Sequence, residues 1–342
     1  MEHNLSDTSP GATLADLGRY LVDACLRPSQ GERVLVRWYQ GQAGLFRALA
    51  QGMRERGAEV TEVERGSEWC TGRSAEALGD DWLPGPQGDF DRVVTCGPPP
   101  DVHRPEGISA EAWNDGHRHG YENLARRVQA GALTALVDWP MRARGGHSRG
   151  AVRRLYAAAL AIDYEALAAR NAALCRRMGT TNQVRLTCPH GTDLTLTVAN
   201  RPWVPESCNH TDGSVVYLPG GEIYSACVET SAEGLIVFND GQHHGTAHVS
   251  GGRVTRVLNS DWTILVGHSV GELGLGTNPN APREQLGSVS EKAIGTAHLG
   301  IGSNDFLGGT TSEGIHIDLI VEDPAMWLDG QPVDLSDIGQ LG

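Results

Sequence analysis

The stretch Gly314-Ile-His-Ile-Asp-Leu-Ile-Val321 alternates polar and apolar side chains along most of its length. Such alternation predicts a β-strand, because successive side chains of a strand point to opposite faces of the sheet. His316 and Asp318 then stand on one face, and aliphatic residues that can enter a core stand on the other. The sequence therefore predicts a strand that presents an imidazole and a carboxylate side by side.

Three further segments each carry one possible metal ligand in or beside a run of small residues. They are Leu218–Ala226 with Glu222, Val270–Gly276 with Glu272, and Ala297–Gly302 with His298. Glycine inside a strand indicates that an ion, a ligand or another backbone approaches closely. If these strands belong to one sheet or barrel, three carboxylates and two imidazoles converge.

The mixture of ligand types restricts which metal ions can bind. Imidazole together with carboxylate suits Zn, Mn, Co or Fe, whereas Ca and Mg prefer shells made of oxygen atoms. One catalytic zinc ion uses only about three protein ligands. We therefore expect one or two divalent ions per chain, and two ions that share a carboxylate fit five ligands better. The alternative is an ordinary structural role for each residue: a histidine in the core, glutamates at strand edges and a pair facing solvent.

Four motifs occur in the order Pro219-Gly-Gly-Glu-Ile-Tyr-Ser-Ala226, Gly271-Glu-Leu-Gly-Leu-Gly-Thr-Asn-Pro279, Glu291-Lys-Ala-Ile-Gly-Thr-Ala-His-Leu-Gly-Ile-Gly302 and Ile315-His-Ile-Asp-Leu319. This order resembles the aminopeptidase T family, the thermophilic-type leucyl aminopeptidases, which are dinuclear metallopeptidases. The resemblance covers residues 160–325 and implies a homodimer. It also implies the same metal ligands: Glu222, Glu272, His298, His316 and Asp318.

Two departures bear on function. Some members of that family carry a tyrosine shortly after the histidine of the third motif, whereas Ser303-Asn-Asp305 follows here. A relative of the same fold, 2,5-dihydroxypyridine dioxygenase, binds one Fe(II) through two histidines and an aspartate. The residues that would supply this triad here are His298, His316 and Asp318. In that enzyme a histidine stands where Glu272 stands here, which favours the peptidase-like interpretation.

Further polar residues are candidates for catalysis and substrate contact. Glu222 and Glu272 could act as acid or base as well as ligands. Charged residues near His298 in the sequence could take the same role or support the ligands: Glu291, Lys292 and Asp305. The candidates for substrate contact are Tyr224, His210 and Asn304.

These observations predict a metal-dependent hydrolase, an aminopeptidase or amidase, that acts on a small peptide or amide. A metal-activated water would attack the carbonyl group that the same ions polarise. One alternative is a mononuclear Fe(II) dioxygenase that acts on a small aromatic substrate on the same fold. A second is a non-catalytic binding protein that keeps the fold.

Composition excludes several other classes. The net charge of −14 and the pI of about 5.3 argue against nucleic acid as a partner, because phosphate binding needs a basic surface. No apolar run approaches the ~18 residues of a membrane-spanning helix, so no membrane partner is expected. Seven dispersed cysteines without a C-x-x-C pair indicate reduced thiols and a cytoplasmic location.

The chain divides into two predicted domains. Up to about residue 150, helical and strand patterns alternate, which favours parallel β-α-β units. From Asn182 onward, short alternating segments between turn residues predict antiparallel strands, including Ser214–Leu218. We therefore predict an α/β N-terminal domain at 1–179 and a β-rich, antiparallel α+β metal-binding domain at 180–342. No glycine-rich phosphate loop follows the first strand, so nucleotide binding is not expected.

Overall fold

The computed structural model describes most of the 342 residues in several ranges. These are 13–66, 83–85, 89–96, 110–141, 143–199, 201–208, 214–239, 243–260, 262–284, 286–333 and 335. The chain forms two compact units. The first comprises the described residues within 1–143, 147–164 and 208–220, and the second comprises those within 144–146, 165–207 and 221–342.

The helices and strands alternate in the first half of the chain, and strands dominate the second half. The helices are α1 (Leu14–Leu21), α2 (Ala43–Glu55), α3 (Ala110–Gln129), α4 (Arg149–Leu160), α5 (Tyr164–Met178) and α6 (Ser288–Glu291). The first strands are β1 (Arg33–Tyr39), β2 (Glu59–Arg65), β3 (Arg92–Thr95), β4 (Leu133–Val137), β5 (Gln183–Thr187), β6 (Asp193–Thr197), β7 (Val204–Glu206), β8 (Val215–Leu218) and β9 (Glu222–Ala226). The remaining strands are β10 (Glu233–Asn239), β11 (His244–Ser250), β12 (Arg253–Leu258), β13 (Val270–Gly276), β14 (Ala297–Gly302), β15 (His316–Val321), β16 (Ala325–Leu328) and β17 (Gln331–Val333).

The first unit is built on a parallel sheet in the order β2-β1-β3-β4-β8. Its central strands β1, β3 and β4 are buried along almost their whole length, as expected for parallel strands covered on both faces. Helix α2 places Leu45, Leu49 and Met53 in the core, where all three are fully buried. The predicted α/β character of this part of the chain is confirmed.

The last strand of this sheet differs from the prediction. Strand β8 pairs in parallel with β4, from Thr134 opposite Val215 to Val137 opposite Leu218, so it does not join the β-rich part of the chain. Four alternating residues indicate a strand, but they do not indicate its partner. The first compact unit includes residues up to Tyr164, and the domain boundary near Gly179 stays a prediction.

The second unit contains two antiparallel sheets. One has the order β12-β11-β10-β6-β5-β16-β17, and the other has the order β15-β14-β13-β9-β7. Alternate residues of the second of these sheets enter a large hydrophobic core: Ile223, Leu273, Leu275, Leu299, Ile301 and Leu319. The predicted β-rich domain is thus confirmed, and the remaining residues of the same strands point to the opposite face of their sheet.

Two expectations from composition can be compared with the structure. None of the helices in the described ranges is both long and apolar enough to cross a membrane. The described cysteines are thiols that form no disulfide: Cys25, Cys96, Cys175, Cys188, Cys208 and Cys227. Cys70 lies outside the described residues.

Candidate metal centre

The predicted metal ligands lie on neighbouring strands β9, β13, β14 and β15, on the face opposite the core. In the strand register each of them is paired with a glycine. The pairs are Glu222 with Gly276, Glu272 with Gly300, His298 with Gly274, Asp318 with Gly300, and His316 with Gly302. Because paired residues of adjacent strands share a face of the sheet, this interleaving gives each ligand side chain open space beside it.

The side chains of the histidines use this space. A β-carbon at Gly274 would overlap Nε2 and Cε1 of His298. A β-carbon at Gly300 would lie 2.7 Å from Cε1 of His316 and 2.8 Å from the β-carbon of Glu272. Any larger residue at these two positions would therefore displace a predicted ligand.

A β-bulge re-aims the side chain of Glu272. The register of β13 against β14 shifts between Val270 and Glu272. Gly271 lies at this irregularity, and its carbonyl oxygen accepts hydrogen bonds from Cys227 N at 2.8 Å and from Asn304 Nδ2 at 3.2 Å. Bulges of this kind occur next to functional sites, where they change the direction of one side chain.

The donor atoms form two groups that share one residue. Glu222, Glu272 and His298 form the first group, and Glu272, His316 and Asp318 form the second, each with ligand atoms within 4.8 Å of one another. The two oxygens of Glu272 are divided between the imidazoles. Its Oε2 lies 2.9 Å from His316 Nε2, and its Oε1 lies 3.8 Å from His298 Nε2. This is the arrangement of a carboxylate able to bridge two ions.

These groups fit a divalent ion. Glu222 and Glu272 are each 4% exposed and His298 is 1% exposed. Two buried carboxylate oxygens have no hydrogen-bond partner in the described part of the chain, Glu222 Oε2 and Asp318 Oδ1, although an imidazole Nε2 lies 3.2 and 3.3 Å from them. A buried carboxylate oxygen without a donor carries a cost that a bound cation removes. Imidazole and carboxylate are also the donors that Zn, Mn, Co and Fe accept.

A backbone carbonyl orients His316. Its Nδ1 lies 2.8 Å from the carbonyl oxygen of Ser303, so Nδ1–H donates there and Nε2 faces the carboxylates. The hydroxyl oxygen of Ser303 accepts hydrogen bonds from the backbone N–H groups of Glu313 and Gly314, at 2.8 and 3.1 Å. Support of this kind fixes the tautomer of a metal-binding histidine.

Lys292 reaches into the first group. Its Nζ lies 2.6 Å from Glu222 Oε1 and 2.9 Å from Glu291 Oε1, and all three side chains are buried. Burial raises the pKa of Glu291 to about 7. The sequence had marked Lys292 only by its position near His298, and no periodicity pointed to its contact with Glu222.

The ionisation of the ligands follows from this crowding. Burial alone would raise the pKa of Glu222, but the Lys292 ammonium and the His298 ring hold it at about 2. Burial would likewise raise the pKa of Glu272, yet the imidazoles of His298 and His316 beside it hold it at about 2. Burial opposes the charged form of His298 and His316, but the carboxylates around them raise both pKa values well above the usual range. Without an ion, the imidazoles are therefore protonated partners of the carboxylates.

The remaining predicted residues fall in different places. Tyr224 is on the same face, opposite Gly274, and burial together with the charges of Glu272 and Glu222 raises the pKa of its phenol. Asp305 starts a short 3-10 turn, and its Oδ1 accepts a hydrogen bond from Phe306 N. His210 lies outside the described residues.

Asn304 is fully buried, and its amide group is used within the protein. Nδ2 donates to the carbonyl oxygens of Gly271 and Cys227 and to the carboxylate of Glu229, and Oδ1 accepts from Thr311 N. These contacts tie the loop after β14 to β13 and to the end of β9. The amide group of Asn304 is thus used in contacts within the protein.

One residue beside the donor groups was not predicted from the sequence. The ring of Phe306 meets the imidazole of His316 edge-on, with centroids 5.1 Å apart. Phe306 follows the third motif at the place where the sequence departs from the aminopeptidase pattern, and this departure was the only available signal. An apolar ring therefore borders one of the histidines.

Comparison with known proteins shows similarity at the level of the fold. The sequence matches no family model and no curated protein. AmpT from Thermus thermophilus, a thermophilic aminopeptidase, has a similar structure with a TM-score of 0.64 and 14% identity, over 94% of this chain and 96% of that one. The structure of 2,5-dihydroxypyridine dioxygenase from Pseudomonas putida is also similar, with a TM-score of 0.62 and 15% identity, over 94% of each chain. Both are enzymes, and at these identities the likeness shows a common fold.

Proposed function

We propose that this protein is a metal-dependent hydrolase of amide or peptide bonds, similar to an aminopeptidase, with two divalent ions in the candidate centre. The observation that carries the proposal is the position of Glu272, whose two oxygens are directed at two different imidazoles. Each donor group contains one imidazole and two carboxylates. This division supports two ions that share Glu272.

The residues of this chain would take distinct parts in the reaction. When bound, divalent ions supply polarisation of a carbonyl group and an activated water. The carboxylates of Glu222 and Glu272 are ionised at neutral pH, because each has a pKa of about 2. Their main role would therefore be to bind the metal ions. Glu291 has a pKa of about 7 and can hold or release a proton near neutrality. We assign it the proton-transfer role, and the sequence had offered it as one of several candidates.

The alternative of a mononuclear Fe(II) dioxygenase has one observation in its favour, the structural similarity to the Pseudomonas enzyme. Its expected ligands here are His298, His316 and Asp318. In the described residues, however, neither donor group contains His298, His316 and Asp318 together. The geometry therefore favours the hydrolase over the dioxygenase.

The first experiment is elemental analysis of protein purified without chelator or a metal-binding tag. About two equivalents of Zn, Mn or Co per chain are expected for the hydrolase. A panel of small peptides and amides is then tested with the wild-type protein and Glu272→Gln, which removes the shared ligand with little change in volume. About one equivalent of iron, with oxygen consumption in the presence of an aromatic substrate, would replace the hydrolase with the dioxygenase. Protein without metal affinity would support a non-catalytic role.

The resemblance described above also leads us to propose a homodimer in the cytoplasm. Light scattering of the purified protein tests the first point, since a dimer has twice the mass of the 36.6 kDa chain. Fractionation of cells that produce the protein tests the second.

A further inference from the structure

The ammonium of Lys292 is an unusual neighbour for a metal ligand. The side chain of Lys292 is only 7% exposed and lies between two buried carboxylates, those of Glu222 and Glu291. Moving a lysine out of water is costly unless its charge is paired. The contacts with Glu222 and Glu291 provide this pairing, and one of the paired residues belongs to the first donor group.

The lysine leaves Glu222 with one oxygen for an ion. Nζ of Lys292 lies 2.6 Å from Oε1 of Glu222. The other oxygen of Glu222, Oε2, lies 3.2 Å from His298 Nε2 and has no hydrogen-bond partner in the described residues. An ion of the first group and the ammonium would thus bind opposite oxygens of one carboxylate. Because both neutralise the same charge and repel each other at short range, each weakens the binding of the other.

The second donor group lacks such a neighbour. Within the described ranges, the ion pairs of Glu272 and Asp318 involve only the two histidines. The field of Lys292 reaches Asp318, but no direct ion pair connects them. In addition, the carbonyl group of Ser303 orients His316, whereas Nδ1 of His298 has no such partner among the described residues.

We propose that the two ion sites are unequal and are filled in order. The group of Glu272, His316 and Asp318 binds its ion more tightly and is filled first, and the group of Glu222, Glu272 and His298 holds a weaker, exchangeable ion because Lys292 opposes it. The inference rests on the metal binding of the proposed function. It assigns to Lys292 a tuning role that needs no contact with substrate.

Calorimetric titration of the metal-free protein with Zn²⁺ at pH 8 tests this assignment. The wild-type protein should bind in two resolved steps. Glu222→Gln should remove the weaker step, and Asp318→Asn should remove the tighter one. Lys292→Met, which keeps the volume and removes the charge, should strengthen the weaker step by about tenfold or more.

Glu291→Gln is the matched control with the opposite sign. It removes one of the two carboxylates that compensate the ammonium, so the weaker step should become weaker still by about tenfold or more. If the two variants shift the affinity of the weaker step in opposite directions, general misfolding is not the cause. If Lys292→Met does not fold, Glu291→Gln still tests the same charge effect. Equal affinity at both sites, or an unchanged weaker step in either variant, would overturn the inference while leaving the hydrolase intact. Two ordered steps without hydrolysis of any amide would support it and remove the proposed activity.

Discussion

The imidazole of His298 lies directly against Gly274 on the neighbouring strand, in a space that a β-carbon at position 274 would fill. Gly274→Ala should therefore push the ring out of the first donor group. We expect a loss of one equivalent of metal and a decrease in stability of about 1–3 kcal/mol, the usual cost of an extra methyl group in a packed site. Elemental analysis and urea unfolding measure the two effects. Gly150→Ala is the control, since only the end of Arg154 lies within 4 Å of its new β-carbon.

Glu272 belongs to both donor groups, whereas Glu222 belongs to one. Glu272→Gln should reduce metal content from about two equivalents to none, and Glu222→Gln should reduce it to about one. Circular dichroism checks that both variants keep their fold, and elemental analysis after gel filtration gives the metal content. If both variants lose the same amount of metal, Glu272 does not bridge.

Metal binding should depend strongly on pH. Burial opposes protonation of His298 and His316, but the surrounding carboxylates raise both pKa values well above the usual 6.5, so the metal-free protein holds protons that an ion must displace. Affinity should rise with pH by about tenfold per unit for each proton released. Calorimetry at pH 7 in buffers of different ionisation enthalpy counts these protons, and a binding enthalpy independent of the buffer would contradict the prediction.

The same ion pairs make the stability of the metal-free protein depend on pH. A histidine whose pKa is raised on folding stabilises the fold fully at a pH below its unfolded value. That stabilisation is lost as the pH rises through the raised pKa of the folded protein. Thermal unfolding of the metal-free protein should therefore occur at lower temperature as the pH increases above neutrality.

Substitution of Asn304 can distinguish a structural role of this residue from a role in substrate binding. Its buried amide makes hydrogen bonds to Gly271, Cys227, Glu229 and Thr311, and Asn304→Ala removes all of them. We expect the free energy of unfolding to fall by about 2–3 kcal/mol, because buried carbonyl groups lose their donors. Urea unfolding measures this loss, with Asp305→Asn as a neighbouring control. A raised KM with unchanged stability would instead support the predicted contact of Asn304 with substrate.

Much of the candidate site could be predicted from the sequence. Alternation decides which residues of a strand share a face, so the segment around His316 and Asp318 was correctly assigned to one strand. Glycines beside Glu272 and His298 indicated close approach, and the structure places a glycine opposite each ligand in register. Both signals are local, because they depend on backbone geometry within a few residues.

Contacts between distant segments could not be predicted in the same way. A strand of four residues has no partner encoded in its own pattern, and β8 therefore joined the parallel sheet against expectation. The contact of Lys292 with Glu222 spans seventy positions of sequence and depends on how α6 lies against the sheet face. The hydrogen bonds from Asn304 to Gly271 and Cys227 also join segments that are far apart in the sequence.

The sequence by itself determined the ligand types, the face of each strand on which they stand and the glycines that leave room for them, because these follow from the two-residue period of a strand. The tertiary structure alone decided the register. Antiparallel pairing of β9, β13, β14 and β15 brought the five side chains together, and the bulge at Gly271 aimed Glu272 between two imidazoles. Register and bulges depend on hydrogen bonds between segments far apart in the chain, and no single segment specifies them.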